Sequence, residues 1–139
     1  MKNKLNCILL IDDDEPTNFL NRMVIEEVDC TERLEILQSG REALQYLSNT
    51  SSSGNYPQPD LVFLDINMPA MDGWEFLENY NQLPEEQKAK IIVVMLTTSF
   101  NPEDELKARK IAGISDFRNK PLTPEALRQI LQQHFPGKF

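Results

Sequence analysis

Acidic residues, a hydroxyl and an amine follow the apolar runs of this chain, in the order Asp12, Asp13, Asp14, Glu15, Asp65, Thr97 and Lys120. Carboxylates that are held close together repel one another, and a divalent cation with oxygen ligands relieves that repulsion. Such a site suits magnesium better than zinc, because the chain has a single histidine, His134, and no cluster of cysteines and histidines. The residue types therefore predict a Mg²⁺ site wherever the fold brings these acids together.

The same residues predict phosphoryl transfer. A carboxylate beside magnesium, an ammonium group and a hydroxyl is equipped for that reaction. The metal and Lys120 would neutralise charge on the transferred group while Asp65 attacks the phosphorus in line. We expect Asp65, Thr97 and Lys120 to carry the chemistry.

The apolar runs themselves predict a parallel sheet. Three runs do not alternate with polar residues, which indicates strands buried on both faces: Cys7 to Ile11, Leu61 to Leu64, and Ile91 to Leu96. Two weaker candidates are an edge strand from Arg33 to Leu37 and a short strand from Ser115 to Arg118. Ligands of an open parallel sheet bind at the carboxyl ends of its strands, so the polar residues above should meet at one edge.

Helices are predicted in the segments between the strands. Capping signals mark four of them: Ser39 with Glu42, Asp72 with Glu75, Asn101-Pro102, and Thr123-Pro124. Gly113 is placed to end the helix that begins near Pro102. The first helix opens at Pro16 and carries one apolar stripe: Phe19, Leu20, Met23, Val24 and Val28. Strict alternation of strand and helix predicts a doubly wound α/β domain with five strands and five helices.

Composition limits the partners and the compartment. The 139 residues suit a single domain, and the net charge of -8 argues against direct contact with nucleic acid or an anionic membrane. Cys7 and Cys30 are expected to be free thiols in a reducing cytoplasm. The apolar run that begins at Cys7 is too short for a signal peptide.

Four segments, LLIDDDE, LVFLDINMPAMDG, VVMLTTS and FRNKPL, resemble the motifs of the response-regulator receiver family in order and spacing. The resemblance covers nearly the whole chain and implies one receiver domain over residues 1–139, with a core at about 5–135. It also implies the flavodoxin-like strand order 2-1-3-4-5. The long polar loop and LTTSFNPED look most like small single-domain, chemotaxis-regulator-like proteins similar to those paired with cyanobacterial phytochromes.

The resemblance also assigns roles to single residues. It implies that Asp65 is the phosphoacceptor, that Asp13 binds the metal directly, and that Asp12 binds it through water. The backbone carbonyl of Asn67 matches the third protein ligand. The other matching positions are the Thr97 hydroxyl, the Lys120 ammonium and Phe117, an aromatic that moves with Thr97. Asn67 and Ser99 are expected to govern the lifetime of the phosphoryl group.

A receiver domain of this kind would take its phosphoryl group from a phosphohistidine on a histidine kinase or phosphotransfer protein and later hydrolyse its own acyl phosphate. It would be a signalling switch rather than an enzyme that acts on other substrates. Its output would be a protein contact through the fourth and fifth helices and the strand between them. The downstream target and dimerisation of the phosphorylated form are left open.

Two other interpretations compete with this one. A magnesium phosphohydrolase of the haloacid-dehalogenase type would use Asp12 and Asp14 as its D-x-D signature, with Asp12 as nucleophile. That family expects an acidic pair after the lysine, where this chain offers only Glu125, and Pro16 displaces its expected threonine. A pseudo-receiver that only binds partners is disfavoured because every catalytic position is filled.

Overall fold

A sheet of five parallel strands forms the centre of the protein. The computed structural model describes residues 4–48, 59–84, 92–97, 102–110 and 114–139. The strands are β1 (Leu5–Ile11), β2 (Thr31–Leu37), β3 (Leu61–Asp65), β4 (Ile92–Thr97) and β5 (Asp116–Asn119). The described helices are α1 (Glu15–Val28), α2 (Gly40–Ser48), α3 (Gly73–Asn81), α4 (Pro102–Lys110) and α5 (Pro124–His134).

The strands lie in the order β2-β1-β3-β4-β5, all parallel, which confirms the predicted flavodoxin-like sheet. Every residue of β3 is buried, as are all but one residue each of β1 and β4. β2 is an edge strand and is largely half-exposed, as its weaker apolar pattern predicted. Apolar runs without alternation therefore did mark the strands covered on both faces.

Strand boundaries differ from the predicted ones by one or two residues. β1 begins two residues earlier than predicted because Leu5 pairs with Thr31 and is fully buried. β2 likewise begins at Thr31, and β5 begins and ends one residue later than predicted. β4 includes Thr97, which pairs with Asn119 of β5.

Two apolar cores lie on the two faces of the sheet. One contains side chains of α2 and α3, among them Leu47, Phe76 and Leu77, packed on alternate residues of the central strands. The other contains side chains of α1 and α5, such as Ile25 and Leu127, packed on the intervening residues. Trp74 and Tyr80 also belong to the first core.

Local capping signals predicted most helix starts. Asp72 and Glu75 form both bonds of the capping box at α3, and the Thr123 side chain caps α5 ahead of Pro124. At α2 the Ser39 hydroxyl accepts from the Glu42 amide. The Glu42 carboxylate, however, accepts from the Gln38 amide instead of completing the box.

Several predicted features lie outside the described residues. They are the capping residue Asn101, the helix stop at Gly113, Ser99, and most of the polar loop before β3, at 49–58.

The predicted apolar stripe of the first helix is wrong. Phe19, Leu20 and Met23 are 62%, 55% and 54% exposed. The buried residues of α1 are Asn18, Asn21 and Ile25, while Val24 and Val28 are partly buried. α1 is thus rotated so that two amides, rather than its largest apolar side chains, face the sheet.

His134, near the end of α5, is largely buried. Its imidazole is only 13% exposed, with Nε2 lying 3.6 Å from Asp116 Oδ2. Within the described residues, no helix has the length and apolar character that crossing a membrane requires.

Candidate metal centre at the carboxyl edge of the sheet

The register of the sheet brings the predicted site residues together. Ile11 pairs with Leu64, so Asp12 and Asp65, the residues that follow them, lie side by side where β1 and β3 end. Asp65 pairs in turn with Leu96, one residue before Thr97. These positions come from strands far apart in sequence, and parallel pairing alone places them at one edge.

Three carboxylates form a cluster at this edge. Oxygen atoms of Asp12, Asp13 and Asp65 all lie within 4.8 Å of one another. Asp12 and Asp65 are buried, whereas Asp13 is exposed to solvent. Three acidic groups so close, one of them open to water, form an oxygen-only donor set of the kind that hard divalent cations prefer.

Lys120 joins the two buried acids. Its Nζ donates to Asp12 Oδ2 at 2.5 Å and to Asp65 Oδ1 at 2.9 Å, and the three side chains are 6% to 8% exposed. The Lys120 amide donates to the carbonyl of Thr97 at 2.6 Å, which fixes the lysine beside β4. The peptide between Lys120 and Pro121 is cis. A single ammonium thus opposes three carboxylates, and the cluster keeps a net negative charge.

Burial and the neighbouring charges together shift the pKa values of Asp65 and Lys120. Burial raises the pKa of Asp65, and the charges of Asp12 and Asp13 add to that effect against the opposing hydrogen bond from Lys120. Burial would lower the pKa of Lys120, but its hydrogen bonds to Asp12 and Asp65 outweigh burial and raise it. A divalent cation would relieve the repulsion that disfavours the ionised form of Asp65.

The free oxygen atoms are placed to receive such a cation. Lys120 occupies one oxygen of Asp65, and no described residue donates to the other oxygen or to either oxygen of Asp13. The residues present therefore fit a divalent metal ion held by carboxylate oxygens and water.

Asp14 does not belong to the cluster. Its side chain caps α1, accepting from the Thr17 amide at 3.0 Å and from the Thr17 hydroxyl. These hydrogen bonds lower the pKa of Asp14. A D-x-D site would need Asp14 beside Asp12 at the metal, so this geometry counts against the phosphohydrolase interpretation.

The turn between β3 and α3 positions Asn67. Ile66 and Met68 are buried on either side of it, which leaves Asn67 exposed at the rim of the site. Gly73 closes the turn by donating to the Ile66 carbonyl at 2.8 Å. A Cβ at Gly73 would lie 2.6 Å from the Asp65 carbonyl oxygen, so only glycine permits this approach.

Thr97 and Phe117 lie on neighbouring strands. Thr97 is 1% exposed, and Phe117 is partly buried against the core that contains Met95, its partner in β4. Because side chains alternate along a strand, Thr97 and Met95 share one face of the sheet. The two predicted switch residues therefore lie on the same face, two positions apart.

One residue of the site was missed by sequence reasoning. Asn18 is 4% exposed, and its Nδ2 donates to the Asp12 carbonyl at 2.9 Å. The only signal was an amide at the position where an amphipathic helix would place an apolar residue facing the sheet.

Known proteins match this chain across most of its length. A family model described as the response regulator receiver domain matches residues 8–132. Response regulator Rcp1 of Synechocystis sp. is 35% identical over 102 residues, which cover 73% of this chain and 68% of Rcp1. The crystal structure of the Mn²⁺-bound form of Rcp1 is similar with a TM-score of 0.70 at 29% identity, covering 92% of this chain and 90% of that chain.

Two other matches are informative. The crystal structure of a two component response regulator from Cytophaga hutchinsonii is similar with a TM-score of 0.85 at 33% identity, covering 96% of this chain and 98% of that chain. Signal transduction histidine-protein kinase BarA of Escherichia coli is 29% identical over 136 residues. That match takes in 98% of this chain and 14% of BarA.

Proposed function

The chain belongs to the response-regulator receiver family of two-component signalling, and on that premise we propose that Asp65 accepts a phosphoryl group in a Mg²⁺-dependent reaction. Phosphotransfer from a kinase is the general function of receiver domains, and a divalent metal at an acidic pocket is a general feature of the family. The observation that carries the assignment to Asp65 is its position at the end of the central strand β3. There its Oδ1 lies 2.9 Å from Lys120 Nζ, and its carboxylate forms the acidic cluster with Asp12 and Asp13.

Each site residue has a role in this proposal. Asp13, Asp65 and the carbonyl of Asn67 would hold magnesium, with Asp12 acting through water, and the metal would supply positive charge for the phosphoryl oxygens. Lys120, the residue that follows β5, supplies a second positive charge, and the Thr97 hydroxyl donates a hydrogen bond. A carboxylate oxygen of Asp65 forms the new P–O bond while the N–P bond of a donor phosphohistidine breaks, and its electron pair returns to the imidazole.

We further propose that the protein is a single receiver domain, with a core at about 5–135. It would catalyse only its own phosphorylation and dephosphorylation. Two buried thiols without a disulfide, at Cys7 and Cys30, support a reducing compartment such as the cytoplasm.

The phosphodonor is proposed to be a histidine kinase or histidine phosphotransfer protein that docks on α1. Phe19, Leu20 and Met23 form an exposed apolar patch there. Leu20 lines a cleft of about 250 Å³ together with Lys120 and Pro121, so the patch is continuous with the acceptor site. A donor whose histidine reaches Asp65 would therefore meet the patch and cover it.

Output is proposed to be a contact with a downstream protein through α4, β5 and α5. Phe117 of β5 belongs to that face and contacts the core beneath it. The strongly acidic character of the chain, with net charge -8, supports a protein rather than a nucleic acid as the target.

A small phosphodonor tests the proposal without knowledge of the kinase. Incubation with acetyl phosphate and Mg²⁺ should add one phosphoryl group to the wild-type protein by intact mass. Asp65→Asn and Asp13→Ala should abolish the labelling, whereas Asp14→Asn, at the helix cap, should keep it. Labelling that survives in the Asp65 variant, with all variants folded by circular dichroism, would exclude Asp65 as acceptor.

A further inference from the structure

We propose that Asn18 is a positioning residue for the metal centre, acting through the peptide group that joins Asp12 to Asp13. This inference rests on the metal site proposed above. Asn18 lies on the buried face of α1 and is 4% exposed. Its Nδ2 donates to the Asp12 carbonyl oxygen at 2.9 Å in a buried hydrogen bond that links residues six positions apart.

The accepting carbonyl belongs to the peptide that leads into Asp13. A peptide group is planar, so the direction of the Asp12 carbonyl also sets the direction of the Asp13 amide and of the chain that follows. The Asp12 amide is held on its other side by the Leu37 carbonyl at 3.1 Å. Asn18 and β2 thereby fix the orientation of both acidic residues through backbone groups.

Packing alone does not account for an amide at this position. The Oδ1 of Asn18 is buried and has no hydrogen-bond donor among the described residues. A buried acceptor without a donor is destabilising, and an apolar residue of similar size would avoid that cost. The orientation of the amide is fixed, because only Nδ2 can donate to the Asp12 carbonyl. The bond to the Asp12 carbonyl is therefore the interaction, among the described residues, that accounts for an amide at this position.

Asn21 provides a matched control. It lies one turn further along the same buried face of α1 and is 3% exposed, but no described residue forms a hydrogen bond with its side chain. Substitution of Asn21 reports the effect of losing a buried amide from this helix without disturbing the Asp12–Asp13 peptide.

The experiment compares Asn18→Ala and Asn18→Leu with Asn21→Ala. Mg²⁺ affinity is measured by isothermal titration, and stability by urea unfolding in the presence of EDTA. Both Asn18 variants should weaken Mg²⁺ binding by about tenfold, the lower end of what loss of a residue that orients metal ligands causes, while Asn21→Ala stays within about twofold of wild type.

A second readout separates positioning from a general loss of structure. The rate of labelling by acetyl phosphate is measured as a function of Mg²⁺ concentration. In the Asn18 variants the half-saturating concentration should rise, while the rate at saturating Mg²⁺ should stay within about threefold of wild type because the acceptor and Lys120 are intact.

The outcomes distinguish this inference from the function on which it rests. If wild type bound no Mg²⁺, or if Asp13→Ala bound it as well as wild type, the metal site itself would be misplaced. With those two arms as expected, Asn18 variants that bind Mg²⁺ like wild type or like Asn21→Ala overturn the positioning role. Failure of both Asn18 variants to fold would overturn it too, since it would assign Asn18 to stability instead.

Discussion

Ala70 has a backbone conformation that is unusual for a residue with a side chain. It lies in the turn between β3 and α3 with a φ of 66°, in the left-handed region that favours glycine. This turn carries Asn67 at the rim of the acidic cluster, and Gly73 anchors it against the Asp65 carbonyl. The turn thus positions a proposed metal ligand at some cost in backbone energy.

Ala70→Gly should stabilise the protein. Removal of the Cβ relieves about 1–2 kcal/mol of left-handed strain and costs about 0.5–1 kcal/mol in the entropy of the unfolded chain. The free energy of unfolding in urea should therefore rise by roughly 0.5–1 kcal/mol. Ala126→Gly, in the first turn of α5, is the control and should lower it by a similar amount. A loss of stability in the Ala70 variant would show that the turn is not strained.

At the scale of elements, α1 shows how tertiary contacts decide which face of a helix is buried. Ile25 is fully buried between α1 and the sheet, and Asn18 is held by the Asp12 carbonyl. Those contacts turn Phe19 and Met23 outward, where they are more than half exposed. These two apolar side chains are therefore available to contact another protein.

The double substitution Phe19→Gln with Met23→Gln should leave the free energy of unfolding within about 0.5 kcal/mol of wild type, as exposed positions usually do. Ile25→Ala on the buried face should cost about 2–5 kcal/mol. Urea unfolding followed by circular dichroism gives both values. A large loss of unfolding free energy in the double variant would show that Phe19 and Met23 are buried, as the sequence predicted.

Local signals in the sequence predicted much of this structure. Unbroken apolar runs marked the central strands and capping residues marked helix starts, because both depend on near neighbours in sequence. The acids at strand ends predicted the acidic cluster because parallel pairing brings those ends to one edge. Local signals could not predict which face of α1 is turned toward the sheet, nor the hydrogen bond from Asn18 to the Asp12 carbonyl. They depend on how the helix meets the sheet, and a solitary asparagine gives no sign of its partner.

At the scale of the whole molecule, the acidic edge is connected to the proposed output face. Thr97 and Phe117 lie on the same face of β4 and β5, and the carbonyl of Thr97 holds the Lys120 amide. On that side of the sheet, Lys107 of α4 places its Nζ 4.7 Å from the centre of the Trp74 ring in α3. Thr97 therefore contacts β5, a strand of the proposed output face, and packed interiors favour discrete arrangements.

Thr97→Ala should separate phosphorylation from the switch. The acyl phosphate can still form at Asp65, although more slowly. Its phosphoryl oxygens, however, no longer have a hydroxyl at position 97 to draw inward by a hydrogen bond. Backbone amide shifts with and without a beryllofluoride mimic measure the response. Changes around Phe117 and residues 102–110 should be clearly smaller than in wild type. Shifts of full size there would remove Thr97 from the coupling.

The identity of the acceptor is the central claim, and residue-level mapping tests it most directly. Wild-type protein labelled with acetyl phosphate and Mg²⁺ is reduced with borohydride, which converts a phosphorylated aspartate to homoserine, and its peptides are sequenced by mass spectrometry. We predict homoserine at position 65 alone, dependent on Mg²⁺. Among the described residues, only the Asp65 carboxylate bonds to Lys120 through one oxygen while its other oxygen accepts no hydrogen bond. Homoserine at position 12 or 13, with position 65 unmodified, would contradict the account.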